Sequence, residues 1–70
     1  MSFKLPGSKG AATITARMLE ANASDLEQAA AGFREAAKLY RAGYGEQAQG
    51  YADGSFGLAK TALHAWATRH

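Results

Sequence analysis

Residues 24–43, with the sequence SDLEQAAAGFREAAKLYRAG, contain the clearest structural pattern in this chain of 70 residues. Large apolar side chains recur at helical spacing at Leu26, Phe33 and Tyr40, and alanines occupy most of the positions between them. An apolar residue every three to four positions is typical of an amphipathic helix that buries one side. The stretch therefore predicts an α-helix whose core side carries Leu26, Phe33 and Tyr40.

The two ends of this helix are predicted by their capping residues. Ser24 followed by Glu27 has the form of a capping box, in which each side chain bonds the backbone amide of the other residue. Gly43 can adopt the left-handed backbone that commonly ends a helix. We therefore expect the helix to begin after Ser24 and to end at Ala42.

A second helical pattern precedes this segment. Ile14 and Met18 lie four residues apart, which predicts a short helix over residues 11–21. We expect it to stop in the polar stretch 22–24. In the alternative reading, helical spacing continues through Asn22, and the two segments form one long helix.

The sequence after Gly43 predicts an antiparallel return of the chain. The connection at 43–45 is short enough to make the flanking helices neighbours. Residues 46–68 are apolar on one wide side, but Gly50, Gly54 and Gly57 lie within them and weaken a helix. We expect a break or kink near 53–55. The fold class is therefore all-α, either a small three-helix domain or a helical hairpin with a kinked C-terminal helix.

Length and composition indicate a single domain. Residues 1–10 hold the only proline and two glycines, which predicts a flexible N-terminal arm, and 11–70 form the helical domain. The start of the chain lacks the apolar core of a signal peptide, so we expect a cytoplasmic protein. No apolar run is long enough for a membrane span, so we expect no membrane partner.

A domain of this size has a small core and usually needs further stabilisation. It has no cysteine, which excludes disulfides and thiolate zinc sites, and only two histidines. We therefore expect no metal and no cofactor. Association with another chain is the remaining source of stability, and the partner can be another protein or a second copy of this one.

Small residues recur at helical spacing in two places. Ala29, Gly32 and Ala36 form one set, and glycines at 50, 54 and 57 with Thr61 form another. Such spacing lets two helix backbones approach closely. We expect both sets to pack within the domain; the alternative is a close contact with a partner helix.

The predicted function is protein–protein interaction, as an adaptor, an inhibitor or an oligomer subunit. Tyrosine and tryptophan are common in binding hot spots, and this small core cannot bury every aromatic residue of the C-terminal half. We expect a contact surface of aromatic residues with basic residues at its edge: Tyr44, Tyr51, Phe56 and Trp66, with Arg34, Lys38 and Arg41 at the edge.

Two other function classes have weaker support. The net charge of +2 and the basic residues of the helix that ends at Ala42 and of the arm permit nucleic-acid binding as the alternative. No catalytic residues are predicted, because His64 has no acidic neighbour at helical spacing and no nucleophile motif surrounds it. We therefore expect the protein not to be an enzyme.

Overall fold

The computed structural model describes residues 8–69 and contains two α-helices packed as a hairpin. Helix α1 spans Ser8–Arg41 and helix α2 spans Gly45–Ala67, and no strand occurs among the described residues. The all-α prediction is confirmed in its hairpin form, and the three-helix form is wrong. Residues 1–7 of the predicted arm lie outside the described residues, whereas 8–10 form the first turn of α1.

Helix α1 is continuous through the predicted break at residues 22–24. The alternative of one long helix is correct, and Ser24 is an exposed interior residue rather than a cap. An interior serine costs only about 0.5 kcal/mol relative to alanine. Asn22 and Leu26 flank Ser24, and both pack against α2. This packing favours an uninterrupted helix.

Helix α2 is also continuous, so the predicted break near 53–55 is wrong. Three of its residues are buried at intervals of seven: Ala48, Ser55 and Ala62. This spacing keeps one side of a single helix against α1 over its whole length. The interior glycines cost up to about 1 kcal/mol each, which the continuous packing outweighs.

The turn between the helices confirms the predicted glycine cap. Gly43 has a φ of +92°, and the helix ends one residue earlier than expected, at Arg41. The Tyr44 N–H donates to the Leu39 carbonyl at 2.8 Å, and the Gly43 N–H donates to the Tyr40 carbonyl at 3.1 Å. These two bonds form a Schellman motif, which satisfies carbonyls left open at the helix end.

The core between the helices consists of small side chains. No large side chain is fully buried among the described residues, and the buried positions are alanines and one serine: Ala29, Ala36, Ala48, Ser55 and Ala62. Small residues allow a close approach of the two helices, but each buries little apolar area. The hairpin therefore gains limited stability from its own core.

The prediction of close helix packing by small residues is confirmed for α1 and wrong for α2. A Cβ built on Gly32 would overlap the Ser55 Oγ and would lie 3.2 Å from the Ser55 Cβ. By contrast, a Cβ at Gly50, Gly54 or Gly57 would meet nothing within 4 Å. The glycines of α2 therefore face away from α1.

The two helices differ in length. With 34 and 23 residues, α1 is about 51 Å long and α2 about 34 Å. A groove lined partly by Ile14, Met18 and Ala67 lies where α2 ends. The first turns of α1 therefore extend past α2, and Ile14 is 68% exposed.

Candidate functional site: an exposed apolar face

Large apolar side chains lie mostly on the surface of this hairpin. Their exposed fractions range from 43% to 68%, in the set Ile14, Leu19, Phe33, Tyr40, Tyr44, Tyr51, Phe56 and Leu63. Single exposed apolar residues are ordinary, but a contiguous apolar patch marks an interaction surface. The arrangement of these residues on the two helices decides which case applies.

Four large apolar residues of α1 form one row. Leu19, Leu26, Phe33 and Tyr40 follow each other at intervals of seven residues, which is close to two helical turns. Buried Ala29 belongs to a second row with the same seven-residue spacing. Each large residue lies four positions after a member of that second row, so the two rows are neighbours on the helix surface. The large residues therefore line one flank of the helix contact over four successive repeats.

Helix α2 adds two large residues on the same flank. A groove of about 240 Å³ is lined by residues of both helices: Leu19, Asn22, Ala23, Leu26, Ala62, Leu63 and Trp66. Its lining shows that Leu63 lies on the same side of the hairpin as Leu19 and Leu26. Phe56 lies seven residues before Leu63 and continues that side toward the turn. We call Leu19, Leu26, Phe33, Tyr40, Phe56 and Leu63 the apolar face.

A polar contact orients the end of this face near the turn. The Tyr40 hydroxyl donates to Gln49 Oε1 at 2.8 Å, and Gln49 Nε2 donates to Asp53 Oδ1 at 3.1 Å. The tyrosine ring thus keeps its apolar body on the face while its hydroxyl reaches across to α2. This chain of hydrogen bonds links the two helices beside the turn.

Charged residues border the apolar face. Glu20, Glu27, Arg34 and Arg41 each directly follow one of its α1 members, so these exposed residues lie about 100° further round the helix, beyond the outer edge of the face. On α2, the Lys60 Nζ lies 5.9 Å from the Phe56 ring centroid, at the edge of cation–π range. An apolar centre with a charged border is the usual composition of a protein interface.

The aromatic residues predicted to form the contact surface do not lie together. Phe56 belongs to the apolar face, and half-buried Trp66 lines the groove beside it. Tyr51 lies on the opposite flank, where its carbonyl oxygen faces Gly32, and Tyr44 lies in the turn. The role of these four residues in binding a partner stays a prediction.

The predicted basic residues are all exposed on the C-terminal half of α1. Arg34 and Arg41 border the apolar face, and the Lys38 Nζ lies 3.5 Å from Glu35 Oε1. An exposed ion pair of this kind contributes little to stability. Arg34 and Arg41 make no ion pair within the described part of the chain.

Leu19, Leu26 and Leu63 were not predicted as surface residues. Phe33 and Tyr40 were expected on the core side of their helix but are 43% and 52% exposed. A seven-residue repeat joins Leu19 to Leu26, Phe33 and Tyr40, but a break at 22–24 would separate the first member from the others. The repeat was the available signal, and it has structural meaning only because α1 is continuous.

The hydroxyl of Ser55 and the imidazole of His64 lie on different sides of α2. Ser55 is buried between the helices, whereas the His64 side chain is exposed. Among residues 8–69, no group of three or more His, Cys, Asp or Glu side chains is placed to hold a metal ion.

Comparison of the chain with protein-family models, curated proteins and solved structures gives no match. Within the described part of the chain, neither helix combines the length and the apolar character that crossing a membrane requires.

Proposed function

We propose that this protein is a small helical protein–protein interaction module, which acts by covering an apolar surface of its partner with the apolar face. The observation that carries the proposal is the uninterrupted row of large apolar residues on α1, from Leu19 to Tyr40, beside Phe56 and Leu63 of α2. An adaptor, an inhibitor and an oligomer subunit would all use such a surface.

The energetics of the hairpin support a partner. Complete burial of one Leu or Phe side chain contributes about 1.5–3 kcal/mol, and several such residues remain 43–61% exposed on this face. The core between the helices is made of alanines and a serine, so it recovers little of that energy. Covering the face would bury more large apolar side chains than the hairpin itself does.

Photo-crosslinking from two adjacent positions tests the proposal. A benzophenone side chain in place of Leu63 lies on the apolar face, whereas the same probe in place of His64 lies on the exposed outer side of α2. We expect a specific adduct from position 63 in the native cell, at least tenfold stronger than from position 64. Equal labelling from both positions would contradict the proposal.

The basic residues of α1 support nucleic-acid binding as a second candidate function. Arg34, Lys38 and Arg41 are exposed on one half of the helix and could contact successive phosphates. Glu20 and Glu27 continue the same edge with the opposite charge, which limits the positive field. Binding of a DNA duplex that weakens steeply with added salt would favour this candidate, and weak binding independent of salt would eliminate it.

A further inference from the structure

The charged residues along the apolar face follow an ordered pattern. Glu20, Glu27, Arg34 and Arg41 are spaced by seven residues, with two acidic residues followed by two basic ones. The one ion pair recorded among the described residues, Lys38 with Glu35, involves none of these four. Their charges are therefore available to a partner that packs on the face.

This pattern is complementary to itself when the sequence direction is reversed. In one alignment of two antiparallel copies of α1, Glu20 lies opposite Arg41 and Glu27 lies opposite Arg34. Both pairs are centred between residues 30 and 31. Parallel copies would instead place like charges together. Charges at such edge positions set the partner and the orientation of paired helices.

A row of alanines permits two copies of α1 to approach closely. Ala16, Ala23, Ala30 and Ala37 share the seven-residue spacing and lie between the large apolar row and the charged row. Ala23 lines the same groove as residues of the apolar face, which places this row on that side. Small residues at this position favour close backbone packing, and Ala30 lies at the centre of the charge pattern.

Helix α2 carries an independent pattern with the same centre. Asp53 and Lys60 are seven residues apart, and antiparallel copies of α2 would pair them about a point between residues 56 and 57. Gly32 faces Ser55 across the hairpin, and the two helices run in opposite directions. One to two residues before Gly32 on α1 therefore lie level with one to two residues after Ser55 on α2, which places 30–31 beside 56–57. One two-fold axis therefore pairs the charges of both helices.

We propose that the apolar face binds a second copy of this chain, with α1 antiparallel to α1 and α2 antiparallel to α2 about a two-fold axis at the level of Ala30. The product is a four-helix bundle in which the two apolar faces form a common core. This inference rests on the proposed function of the apolar face, and it adds the identity and the orientation of the partner.

The dimensions of the face fit such a dimer. Two packed helices, each about 10 Å wide with its side chains, and a length of about 34 Å along α2 give a contact area of roughly 700 Å² per copy. A standard stable interface buries about 800 Å² per partner. The face is therefore close to the size that a specific homodimer requires.

Charge exchange in solution tests the pairing. We expect sedimentation equilibrium of the intact chain to give twice the monomer mass of 7.4 kDa. The double variants Glu20→Arg/Glu27→Arg and Arg34→Glu/Arg41→Glu each place like charges along the contact, and each should dissociate at least tenfold more readily. An equimolar mixture of the two should recover the dimer mass, because every pair is again of opposite sign.

Single introduced cysteines test the antiparallel orientation, since the sequence contains no cysteine of its own. Ala30→Cys should form a disulfide with its copy under mild oxidation, because it lies beside the two-fold axis. Ala23→Cys and Ala37→Cys should crosslink with each other in a mixture but not each with itself. Self-crosslinking at positions 23 and 37 would overturn the proposed orientation.

The outcomes separate this inference from the proposed function. A wild-type chain that stays at the monomer mass at all concentrations overturns the second-copy inference. If the probe at position 63 nevertheless labels a different protein, the proposed function of the face still holds. Charge variants that dimerise as tightly as the wild type, with circular dichroism showing an intact fold, also overturn the inference.

Discussion

Gly32 and Ser55 face each other across the hairpin at a distance that leaves no room for a Cβ on residue 32. A side chain of even one carbon there would overlap the Ser55 Oγ, and the Tyr51 carbonyl oxygen would lie 3.8 Å away. The absence of a side chain at this one position therefore allows the helices to pack through small residues on either side, including Ala29 and Ala36.

Gly32→Ala should destabilise the hairpin. The added methyl group requires the buried Ser55 hydroxyl to rotate away and the backbones to separate by a few tenths of an ångström. We expect a cost of about 1–3 kcal/mol, which exceeds the gain of about 1 kcal/mol from the better helix propensity of alanine. Gly54→Ala is the matched control, because its Cβ meets open space and the substitution should stabilise by up to about 1 kcal/mol.

Urea denaturation at one fixed protein concentration measures both changes. Adding Ser55→Ala to Gly32→Ala removes the overlapping Oγ and should recover part of the loss. If Gly32→Ala and Gly54→Ala stabilise equally, the close approach of the helices at residue 32 is contradicted.

Gly43→Ala should also lower stability, for a reason that involves no steric contact. A Cβ at this position meets nothing within 4 Å, but the backbone φ of +92° is unfavourable for a residue with a side chain. We expect a loss of about 1 kcal/mol or more, and a smaller loss for Gly43→Asn, because asparagine tolerates this conformation better.

Gly45→Ala provides the control for the turn. Gly45 lies two residues later with an ordinary backbone φ, and its Cβ would lie 3.7 Å from Tyr40 Cε1, a normal contact distance. This variant should keep the thermal midpoint within a few degrees of the wild type. If Gly45→Ala loses as much stability as Gly43→Ala, the positive φ of Gly43 in the Schellman motif is not the reason for the loss.

The sequence predicts the helical class and the turn because those signals are local. Gly43 ends a helix through its own backbone freedom, and the apolar spacing from Leu26 to Tyr40 is read within one segment. The capping pattern at Ser24 predicted a helix start that the structure does not have, because packing against α2, a long-range effect, outweighs a local cap. The outward direction of Gly50 could not be read either, since the spacing of small residues does not say which side of a helix meets its neighbour.

The apolar face shows the same limit. Phe56 is predicted as a contact residue because it is aromatic, whereas Leu19 and Leu63 belong to the face through seven-residue spacings, one within each helix. The sides of α1 and α2 that lie beside the helix contact depend on the register in which Gly32 meets Ser55. That register is set only when the two helices pack together. Composition alone therefore identified a surplus of large apolar residues but not their common surface.

Asn22→Ala should stabilise the hairpin, although it removes a polar side chain. The Asn22 Nδ2 is buried without a hydrogen-bond partner, which typically costs about 1–3 kcal/mol. Residue 22 lies seven residues before buried Ala29, so alanine suits the same row of small side chains. We expect a gain of about 1 kcal/mol in urea denaturation, and a loss of that size would show that the amide has a stabilising contact.

Trp66→Ala should weaken folding or association by more than about 2 kcal/mol. Trp66 lines the groove with Leu19 and Leu26 of α1, so its removal leaves a cavity at the open end of the hairpin. Arg69 stacks on the outside of the ring, with its guanidinium carbon 3.6 Å from the ring centroid. Arg69→Ala is the matched control, because an exposed cation–π contact contributes only about 0.5–1 kcal/mol.

Urea denaturation and sedimentation equilibrium together measure the effect of Trp66→Ala on folding and on association. A loss in the free energy of unfolding alone would place the tryptophan within the hairpin core. A loss in dimer mass at unchanged helicity would extend the contact surface from Leu63 to the end of α2. If Trp66→Ala leaves both quantities unchanged, the groove does not contribute to folding or to binding, because the largest side chain that lines it would then be dispensable.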